Sequence, residues 1–578
     1  MMNYFVGKFL AALLIFSVLF LPGSTELFAQ QGERGERDND GRRDSSRRIN
    51  HDDDREKKGD KRQRRNRIGR DEFRTIDGSS NNLNNTEMGA IFTPLLRIVN
   101  PAYSDGISSL AGEDRPSPRE ISNIVNSQED VIFNELGTTD YLWQWGQFLD
   151  HDIDLTEIAI PEEAADIEVP IGDIFFDPES TGEQVIGFTR SIYDSSTGTD
   201  TDNPRQQLNE ITGWIDASNV YGSEEERANA LRANDGTGKL KTSDGNLLPF
   251  NLDGLSNAGG PGADLFLAGD VRANEQVGLA VMHTLFVREH NRLAERIAED
   301  NPELTGDEIY ERAREIVAAQ MQFITYNEFL PALLGEQPLK RYRRYDPDID
   351  ASIANSFSTA AYRFGHSALN PFLLRVDAEG VMIDAGHLPL RNAFFAPTEI
   401  VAHGLEPVLR GLSQQLHQKI DPFVIDDVRN FLFGPPGSGG FDLPSLNIQR
   451  GRDHGLASYN DTREALGLVR VNDFSDISSD TEIQSRLEEA YGNVDNIDLW
   501  VGGLSEDALE GGHLGETFST IVIIQFESLR DGDRFWFERS LSERQVDRIK
   551  RTRLSDIIIR NTDIEKGEIP RDVFRISN

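Results

Sequence analysis

The chain of 578 residues contains no cysteine. This absence excludes disulfide bonds, thiolate nucleophiles and every metal or cofactor site that depends on a thiolate ligand. It does not exclude export, because an exported protein can fold without covalent cross-links. The chemistry of this chain must therefore be sought among its oxygen and nitrogen side chains.

Positive charge is also in short supply. Lys and Arg number 59 against 98 Asp and Glu, which gives a formal net charge of -39 at pH 7. Nucleic acids and anionic membrane surfaces require a basic face on their partners. The charge balance therefore argues against either as a main partner, while the length alone is compatible with roughly two to four domains.

Long apolar runs are nearly absent. The exception is Phe9–Leu21, which follows Lys8. This layout predicts a signal peptide over residues 1–29, since the run is too short to span a bilayer comfortably. An uncleaved anchor is the alternative, because Leu27 fits poorly three residues before a cut after Ala29. We expect a secreted, periplasmic or extracellular protein with no stable membrane insertion after cleavage.

Residues 30–75 contain very few aromatic or branched apolar side chains, and their Lys and Arg outnumber Asp and Glu. Such a segment cannot bury enough apolar surface to offset the entropy of ordering it. We therefore predict a disordered, charged linker. Its arginine clusters leave open a contact with an acidic partner or an envelope polymer.

Residues 76–570 show the patterning of helices. Apolar residues recur mostly three, four or seven apart in Leu279–Ile297, and Thr305–Phe329 and Tyr141–Leu149 are similar. Alternating strand patterns are scarce, and no Pro-, Gly- or Ser-rich linker divides the region. The prediction is one large, mainly α-helical catalytic domain with little β structure.

Histidine is rare, with ten in the chain, and one has an unusual setting. Residues 143–156 read WQWGQFLDHDIDLT; as a helix they place Gln147 and His151 on one face, with Asp150 at its border. Carboxylates so close together repel unless a cation or a covalent bond relieves them, and they favour a raised histidine pKa. The pattern indicates an acid–base histidine; a structural or surface histidine is the alternative.

This stretch resembles the distal segment of the animal-type haem peroxidases, the peroxidase–cyclooxygenase superfamily. The resemblance implies that His151 deprotonates the incoming peroxide and reprotonates the leaving oxygen. It also implies that Gln147 helps to hold water or halide above the iron, and that Asp150 forms an ester with a haem methyl group. Asp154 and Thr156 match positions near a haem propionate.

A second stretch, AGDVRANEQV over 268–277, resembles the catalytic-arginine segment of the same family. By resemblance Arg272 stabilises the charge that develops on the peroxide oxygens. Glu275, expected on the same helical face, matches the second ester-forming carboxylate; alone, the two residues are more typical of a surface ion pair. Gln276 stands where some members carry a methionine bonded to a haem vinyl group. Bromide, iodide and thiocyanate are therefore the expected anionic donors, and efficient chloride oxidation is not expected.

The stretch AYRFGHS over 361–367 resembles the proximal motif of the family. The resemblance makes His366 the ligand of the haem iron and places Arg363, three residues earlier, beside a propionate, which a guanidinium fork suits. On its own, a lone histidine in a glycine-containing helix is more often a satisfied core residue.

A ligating imidazole needs a partner for its second nitrogen. The family supplies an asparagine in a segment that resembles DLPSLNIQRGRDHG over 442–455. The resemblance gives this role to Asn447 and a further propionate contact to Arg450. His454, in the same segment, is interpreted as structural.

Residues 211–224 resemble the calcium loop of the family. Hard oxygen donors from carboxylate, hydroxyl and carbonyl groups suit Ca²⁺ rather than a transition metal. The implied ligands are Asp152, Thr212, Trp214 (through its carbonyl), Asp216 and Ser218. The loop alone would also fit an ordinary Ser/Asp turn.

The resemblance extends over residues 74–565 and implies a helical fold with the haem between central helices. It implies a peroxidase that uses hydrogen peroxide to oxidise halides, pseudohalides or phenolic donors through an oxyferryl intermediate. Its cofactors would be an ester-linked, haem b-derived group with one iron, and Ca²⁺. The physiological donor, the oligomeric state and the biological purpose (defence, biosynthesis or a response to oxidative stress) stay open.

Two other functions fit parts of the same pattern. Fatty-acid dioxygenases of the superfamily use a radical tyrosine three residues before the proximal histidine, where this chain has Arg363 and places Tyr362 one residue further away. A non-catalytic, calcium-containing binding module with a vestigial haem site is the second alternative. The presence of His151 and His366 together with Arg272 and Asn447 argues against a vestigial site.

Overall fold

Helices dominate the backbone in the computed structural model, which describes residues 72–335 and 339–576. The chain is thus a mainly α-helical protein, as predicted, and the part described forms one domain that covers most of its length. The predicted signal peptide and residues 30–71 of the predicted linker lie outside the described residues.

The longer helices, of seven residues or more, follow one another along the whole described chain. They are Pro118–Ile124, Tyr141–Ile153, Glu225–Leu231, Val277–Asp300, Gly306–Ile324, Pro397–His403, Glu406–Leu412, Leu443–Asp453, Tyr459–Ala465, Thr481–Tyr491, Leu499–Ser505, Glu516–Asp531, Glu543–Ile549 and Leu554–Asn561.

Shorter helical segments connect them. They are the α-helical Ser218–Tyr221, Leu330–Leu334, Asn355–Thr359, Leu390–Ala393, Asp426–Arg429 and Phe537–Ser540, the 3₁₀ turns Asp244–Asn246, Ala361–His366, Phe474–Asp476 and Val494–Asn496, and the π-helical turn Thr325–Phe329.

The β structure consists of short antiparallel pairs of two-residue strands. Thr93 pairs with Asn209, Ile167 with Ile186, and Phe372 with Pro389. The strands are Thr93–Pro94 with Leu208–Asn209, Ile167–Glu168 with Val185–Ile186, and Phe372–Leu373 with Leu388–Pro389.

Side-chain caps define where the site-forming helices begin. Gln276 accepts a hydrogen bond from the amide of Gly278 at the start of the helix Val277–Asp300. Asp442 accepts one from the amide of Ser445 at the start of the helix Leu443–Asp453. Each bond satisfies an amide that has no partner inside its helix.

The helix Tyr141–Ile153 lies at the centre of the main hydrophobic core. Trp145 and Phe148 are fully buried in that core, and both rings contact Phe286 of the helix Val277–Asp300. The distal motif is therefore held on a rigid, buried element. None of the helices in the described residues combines the length and apolar composition needed to cross a bilayer.

Three of the four methionine side chains in the described residues are buried, Met282 and Met321 in this core and Met88 in a smaller cluster. Met282 and Met321 have no exposed surface and Met88 is 9% exposed, whereas Met382 is 53% exposed. In the described residues Met382 is thus the methionine that solvent reaches.

Candidate active site

A cavity of about 390 Å³ brings together every residue that the sequence predicts to contact the haem. Its walls come from the helix Tyr141–Ile153, the turn before Val277, the 3₁₀ turn Ala361–His366 and the helix Leu443–Asp453. The predicted residues that line it are Gln147, Asp150, His151, Asp154, Thr156, Arg272, Glu275, Arg363, His366, Asn447 and Arg450. A larger groove of about 1480 Å³ around Asp244 and Arg288 contains none of them.

His151 is 3% exposed and lies one turn from Gln147 on the same helix. Its Nε2 is 3.7 Å from Glu275 Oε2, and its Nδ1 is 3.4 Å from Asp270 Oδ1 without the alignment of a hydrogen bond. Burial and the charge of Arg272 hold the pKa of His151 well below its usual value, against the expectation of a raised pKa. The imidazole is therefore neutral near pH 7 and able to accept a proton.

Arg272 and Glu275 lie in an irregular turn before Val277, so the prediction that they share a helical face is wrong. The glutamine cap starts the helix only after both residues. Arg272 Nη1 is 3.3 Å from Asp150 Oδ2, and its Nη2 donates to the carbonyl of Asp154 at 2.8 Å. The turn thus orients the guanidinium toward the cavity wall that carries Asp150.

Asp270 is a residue of this site that the sequence prediction missed. It is buried, and its carboxylate accepts hydrogen bonds from Nε and Nη2 of Arg272, both at 2.9 Å. Burial acts to raise the pKa of Asp270, but the charge of Arg272, the neighbouring His151 and the hydrogen bonds from Arg272 together lower it. Its position two residues before Arg272 was the available signal, because a bidentate carboxylate is what fixes a buried guanidinium.

The two predicted ester-forming carboxylates are partly exposed on the cavity wall, by 28% for Asp150 and 25% for Glu275. Gln147 Nε2 donates to Glu275 Oε2 at 3.3 Å, and Gln276 Nε2 donates to Gln147 Oε1 at 3.1 Å. Burial raises the pKa of Glu275 to about 7, against the opposing charge of Arg272.

Asp154 and Thr156 follow the end of the helix Tyr141–Ile153. Asp154 Oδ2 is buried without a hydrogen-bond partner in the described residues, and Thr156 Oγ1 donates to the carbonyl of Leu208 at 2.9 Å. Thr156 therefore lines the cavity while its hydroxyl is already bonded to the backbone.

His366 lies in a 3₁₀ turn, where residues three apart share a side, so Arg363 lies on the side of His366. The Nδ1 of His366 is 2.8 Å from Asn447 Nδ2, and Asn447 Oδ1 accepts from Arg363 Nη1 at 3.1 Å. Burial and the charge of Arg363 lower the pKa of His366 to about 3, so this imidazole is neutral. Asn447 thus contacts the nitrogen that an iron ligand leaves free.

Arg450 lies one turn beyond Asn447 on the same helix. Its Nη1 donates to the carbonyl of Thr189 at 3.0 Å, to Ser191 Oγ at 2.7 Å and to Asp453 Oδ2 at 3.1 Å. Arg450, Arg272 and Arg363 thus line the cavity together with the acidic side chains described above.

The predicted calcium ligands meet behind the distal helix. Ser218 Oγ donates to Asp152 Oδ1 at 3.1 Å, and Thr212 Oγ1 donates to Asp216 Oδ1 at 3.1 Å. Asp216 Oδ2 is fully buried with no hydrogen-bond partner in the described residues, while Trp214 between these residues is fully buried. Burial and the charge of Asp216 raise the pKa of Asp152 well above its usual value.

Two adjacent buried carboxylates and an oxygen without a hydrogen-bond partner are costly unless a proton or a cation neutralises the charge. Among the described residues no group of three or more His, Asp and Glu could hold a metal ion, and this set contains only two carboxylates. Its remaining donors are hydroxyl and carbonyl oxygens, which suit Ca²⁺.

An aromatic rim at the cavity was also missed. Phe394 and Phe433 line the cavity with ring centroids 5.2 Å apart, and Phe395 lies 5.3 Å from Phe433. Phe395 and Phe433 have φ of 50° and 63°, a conformation that costs a phenylalanine about 1–2 kcal/mol. Phe433 is 44% exposed, so the rim presents an apolar surface to solvent.

Comparison with known proteins identifies the class to which this cavity belongs. The family model for animal haem peroxidase matches residues 73–574. The chain therefore belongs to the animal haem peroxidase family, whose members are oxidoreductases that act on hydrogen peroxide with a haem iron.

Individual relatives agree with this membership. Peroxinectin A of Dictyostelium discoideum is 39% identical over 521 residues, which cover 87% of this chain and 96% of that protein. The human peroxidasin homolog is 37% identical over 554 residues, covering 87% of this chain and 37% of the longer protein. Peroxidase A of D. discoideum superposes with a TM-score of 0.81 at 37% identity over 87% of this chain and 99% of that chain.

The fatty acid alpha-dioxygenase of Oryza sativa shares the fold. Its structure gives a TM-score of 0.74 at 22% identity, covering 87% of each chain. At this identity the likeness concerns architecture alone.

Proposed function

We propose that this haem peroxidase oxidises bromide, iodide, thiocyanate or phenolic donors in the cavity lined by His151 and His366. The observation that carries the proposal is the convergence of both neutral histidines, Arg272 and Asn447 on one cavity. A base, a cation and a buttressed metal ligand in one cavity are the parts that peroxide cleavage requires.

The residues present fit a haem group. His366 would hold the iron through Nε2, which requires the oxygen of Asn447 to face Nδ1–H, the reverse of the amide orientation described above. Arg363 and Arg450 would pair with the propionates, and Asp150 and Glu275 would supply the ester links. When bound, the haem supplies the redox chemistry of the iron and the porphyrin.

Different side chains of the distal side transfer the proton and stabilise the negative charge. His151 Nε2 takes the peroxide proton and returns it to the departing oxygen, because a neutral imidazole can do both. Arg272, fixed by Asp270, stabilises the negative charge on the peroxide oxygens during bond cleavage. Gln147 holds water or a halide by hydrogen bonding.

Two features of the cavity support two kinds of donor. Arg272, Arg363 and Arg450 place three guanidinium groups in its lining, which can attract a small anion. The rim of Phe394, Phe395 and Phe433 offers rings against which a phenol can pack.

We further propose that Asp152, Thr212, the Trp214 carbonyl, Asp216 and Ser218 bind Ca²⁺ and so stabilise the distal helix next to His151. The orphaned Asp216 oxygen supports this proposal. Export, with cleavage after residue 29 and a linker over 30–75, is proposed from the N-terminal sequence alone.

The test is the absorption spectrum of the haem-supplemented protein before and after addition of peroxide, followed by acid–solvent extraction. We expect a ferric Soret band that changes with peroxide and returns when bromide, iodide, thiocyanate or a phenol is added. Haem that resists extraction would support the ester links. A colourless protein would overturn the proposal and favour a vestigial binding module.

One observation favours a second candidate, a fatty-acid dioxygenase. Tyr362 lines the cavity, and its buried hydroxyl has no hydrogen-bond partner in the described residues. A haem protein that ignores the donors above but consumes oxygen with a fatty acid would favour that activity.

A further inference from the structure

Asp140 carries a buried carboxylate in front of the distal helix. Its Oδ1 accepts hydrogen bonds from Trp143 Nε1 at 2.9 Å and from Asn370 Nδ2 at 2.8 Å. The amide of Gln415, turned so that its nitrogen faces Asp140, donates to Oδ2 at 3.0 Å. The residue is 1% exposed, and no Lys, Arg or His in the described residues forms an ion pair with it.

A capping role does not account for this carboxylate. Asp140 occupies the N-cap position of the helix Tyr141–Ile153, yet its side chain makes no capping hydrogen bond. The side chain turns instead toward the indole N–H of Trp143. Burial raises the pKa of Asp140 well above its usual range, against the hydrogen bonds from Trp143 and Asn370. The described partners of its two oxygens are N–H donors, so in its ionised form it is a base toward the indole proton that it faces.

Trp143 connects this base to the cavity. Trp143 lines the cavity that also contains His366, and its Cβ is 4.0 Å from where a Cβ on Gly365 would lie. Trp145 on the same helix is different: it does not line the cavity, and its Nε1 donates to the neutral hydroxyl of Thr325 at 3.2 Å. Among the tryptophans of the described residues, Trp143 is the one that both lines the cavity and donates a hydrogen bond to a carboxylate.

We propose that Trp143 is an oxidisable relay of this enzyme, giving up an electron toward the haem cavity and its indole proton to Asp140. The inference rests on the proposed function, since hydrogen peroxide is the oxidant. It adds a protein-based radical site that serves donors of single electrons, such as phenols and aromatic amines.

Hydrogen peroxide takes up two electrons and, from the solvent, two protons, and becomes two molecules of water. One electron comes from Trp143, and the haem would supply the other. The N–H bond of the indole breaks, and an O–H bond forms on Asp140. Two phenol molecules restore the enzyme with one electron each, releasing two protons to the water, while Asp140 returns its proton to the indole.

The location of the relay predicts which donors depend on it. A halide loses two electrons in a single step, and this step needs no radical on the protein. A phenol gives one electron at a time, and Trp143 would accept it. Loss of Trp143 should therefore reduce kcat/KM for a phenol by a larger factor than kcat/KM for iodide.

The experiment compares the wild-type holoenzyme with Trp143→Phe, Asp140→Asn, Tyr362→Phe and the control Trp145→Phe. Each protein is mixed with peroxide without a donor and frozen for electron paramagnetic resonance in H₂O and D₂O, and oxidised tryptophan is then mapped by peptide mass spectrometry. Haem content and Tm show whether each variant folds. Asp140→Asn keeps the acceptor for Trp143, and Gln415 can present its oxygen to the new amide.

We expect a neutral tryptophan radical in the wild type and in Trp145→Phe, and its loss in Trp143→Phe. In Asp140→Asn the radical should be lost or should keep the exchangeable N–H coupling, because the proton has no base to accept it. A radical that persists in Trp143→Phe, or that disappears only in Tyr362→Phe, would overturn the proposal. A wild-type holoenzyme whose Soret absorption band does not respond to peroxide would overturn the proposed function instead.

Discussion

At the scale of single residues, the environment of His151 decides its protonation. Flanking carboxylates favour the charged imidazolium. Burial of the side chain and the nearby charge of Arg272 have the larger effect and lower the pKa of His151. A sequence shows which charges are near in the chain, whereas burial depends on contacts made far along it. The sign of this pKa shift was therefore beyond prediction from the motif.

Replacing His151 with Ala should slow the reaction with peroxide by roughly 10²- to 10⁴-fold, because the general base is removed. The rate of the first spectral change in stopped-flow mixing measures this step. His403→Ala, a change at a partly exposed histidine outside the cavity, serves as the matched control and should leave the rate unchanged. An unaltered rate in His151→Ala would remove His151 from the proton transfer.

Most of the polar residues that line the cavity could be predicted, since each lies in a motif whose residue types and order carry the information. What could not be predicted was the geometry between motifs. Arg272 and Glu275 precede their helix because Gln276 caps it. Phe395 and Phe433 meet through long-range packing, and neither lies in a recognisable pattern.

At the scale of elements, the loop of Thr212–Ser218 and the distal helix each contribute one buried carboxylate, Asp216 and Asp152. Chelation of calcium should lower the Tm by a few degrees, because Asp152 and Asp216 would then repel each other without a cation. Thermal unfolding with and without EGTA measures the effect. Asp216→Asn should abolish the response to EGTA. Asp177→Asn should keep it, since Thr181 and Gly182 already donate to the Asp177 carboxylate. Equal Tm values with and without chelator in the wild type would contradict the calcium assignment.

The helix predicted over Thr305–Phe329 continues as expected but ends in the π-helical turn Thr325–Phe329. In this turn Glu328 is 4% exposed, and its Oε2 lies 3.8 Å from Arg553 without a hydrogen bond. Periodicity reveals a helix but not a local change of its hydrogen-bonding pattern, which tertiary contacts decide.

Glu328 makes a testable contribution to the pH dependence of stability. Burial raises its pKa to about 8, above the usual 4.5, so the folded state binds the proton more tightly than the unfolded state. Stability should therefore fall as the pH rises from about 4.5 to about 8, by roughly 4 kcal/mol for this group. Glu328→Gln should remove that part of the decline, which denaturant unfolding at pH 5 and pH 8 would measure. Parallel pH profiles of wild type and variant would show that Glu328 does not contribute.

At the scale of the whole molecule, the net charge of -39 opposes the approach of anions, although three arginines line the cavity. Salt screens the long-range repulsion between the protein and an anion. A neutral phenol carries no charge, so this repulsion does not affect it. We expect kcat/KM for thiocyanate to rise as ionic strength increases from about 10 mM to about 150 mM, with no change for a neutral phenol. A decline for thiocyanate would mean that the arginines of the cavity, rather than the net charge, govern its approach.

The scarcity of sulfur at the surface bears on how long such a catalyst lasts. Hypohalous acids and their relatives attack thiols and thioethers first. This chain has no thiol, and in the described residues the core shields every thioether but that of Met382. The products of halide oxidation proposed above would thus find few sulfur atoms to attack in the described part of the enzyme, and self-inactivation would have to arise at other groups, the haem and the aromatic side chains among them.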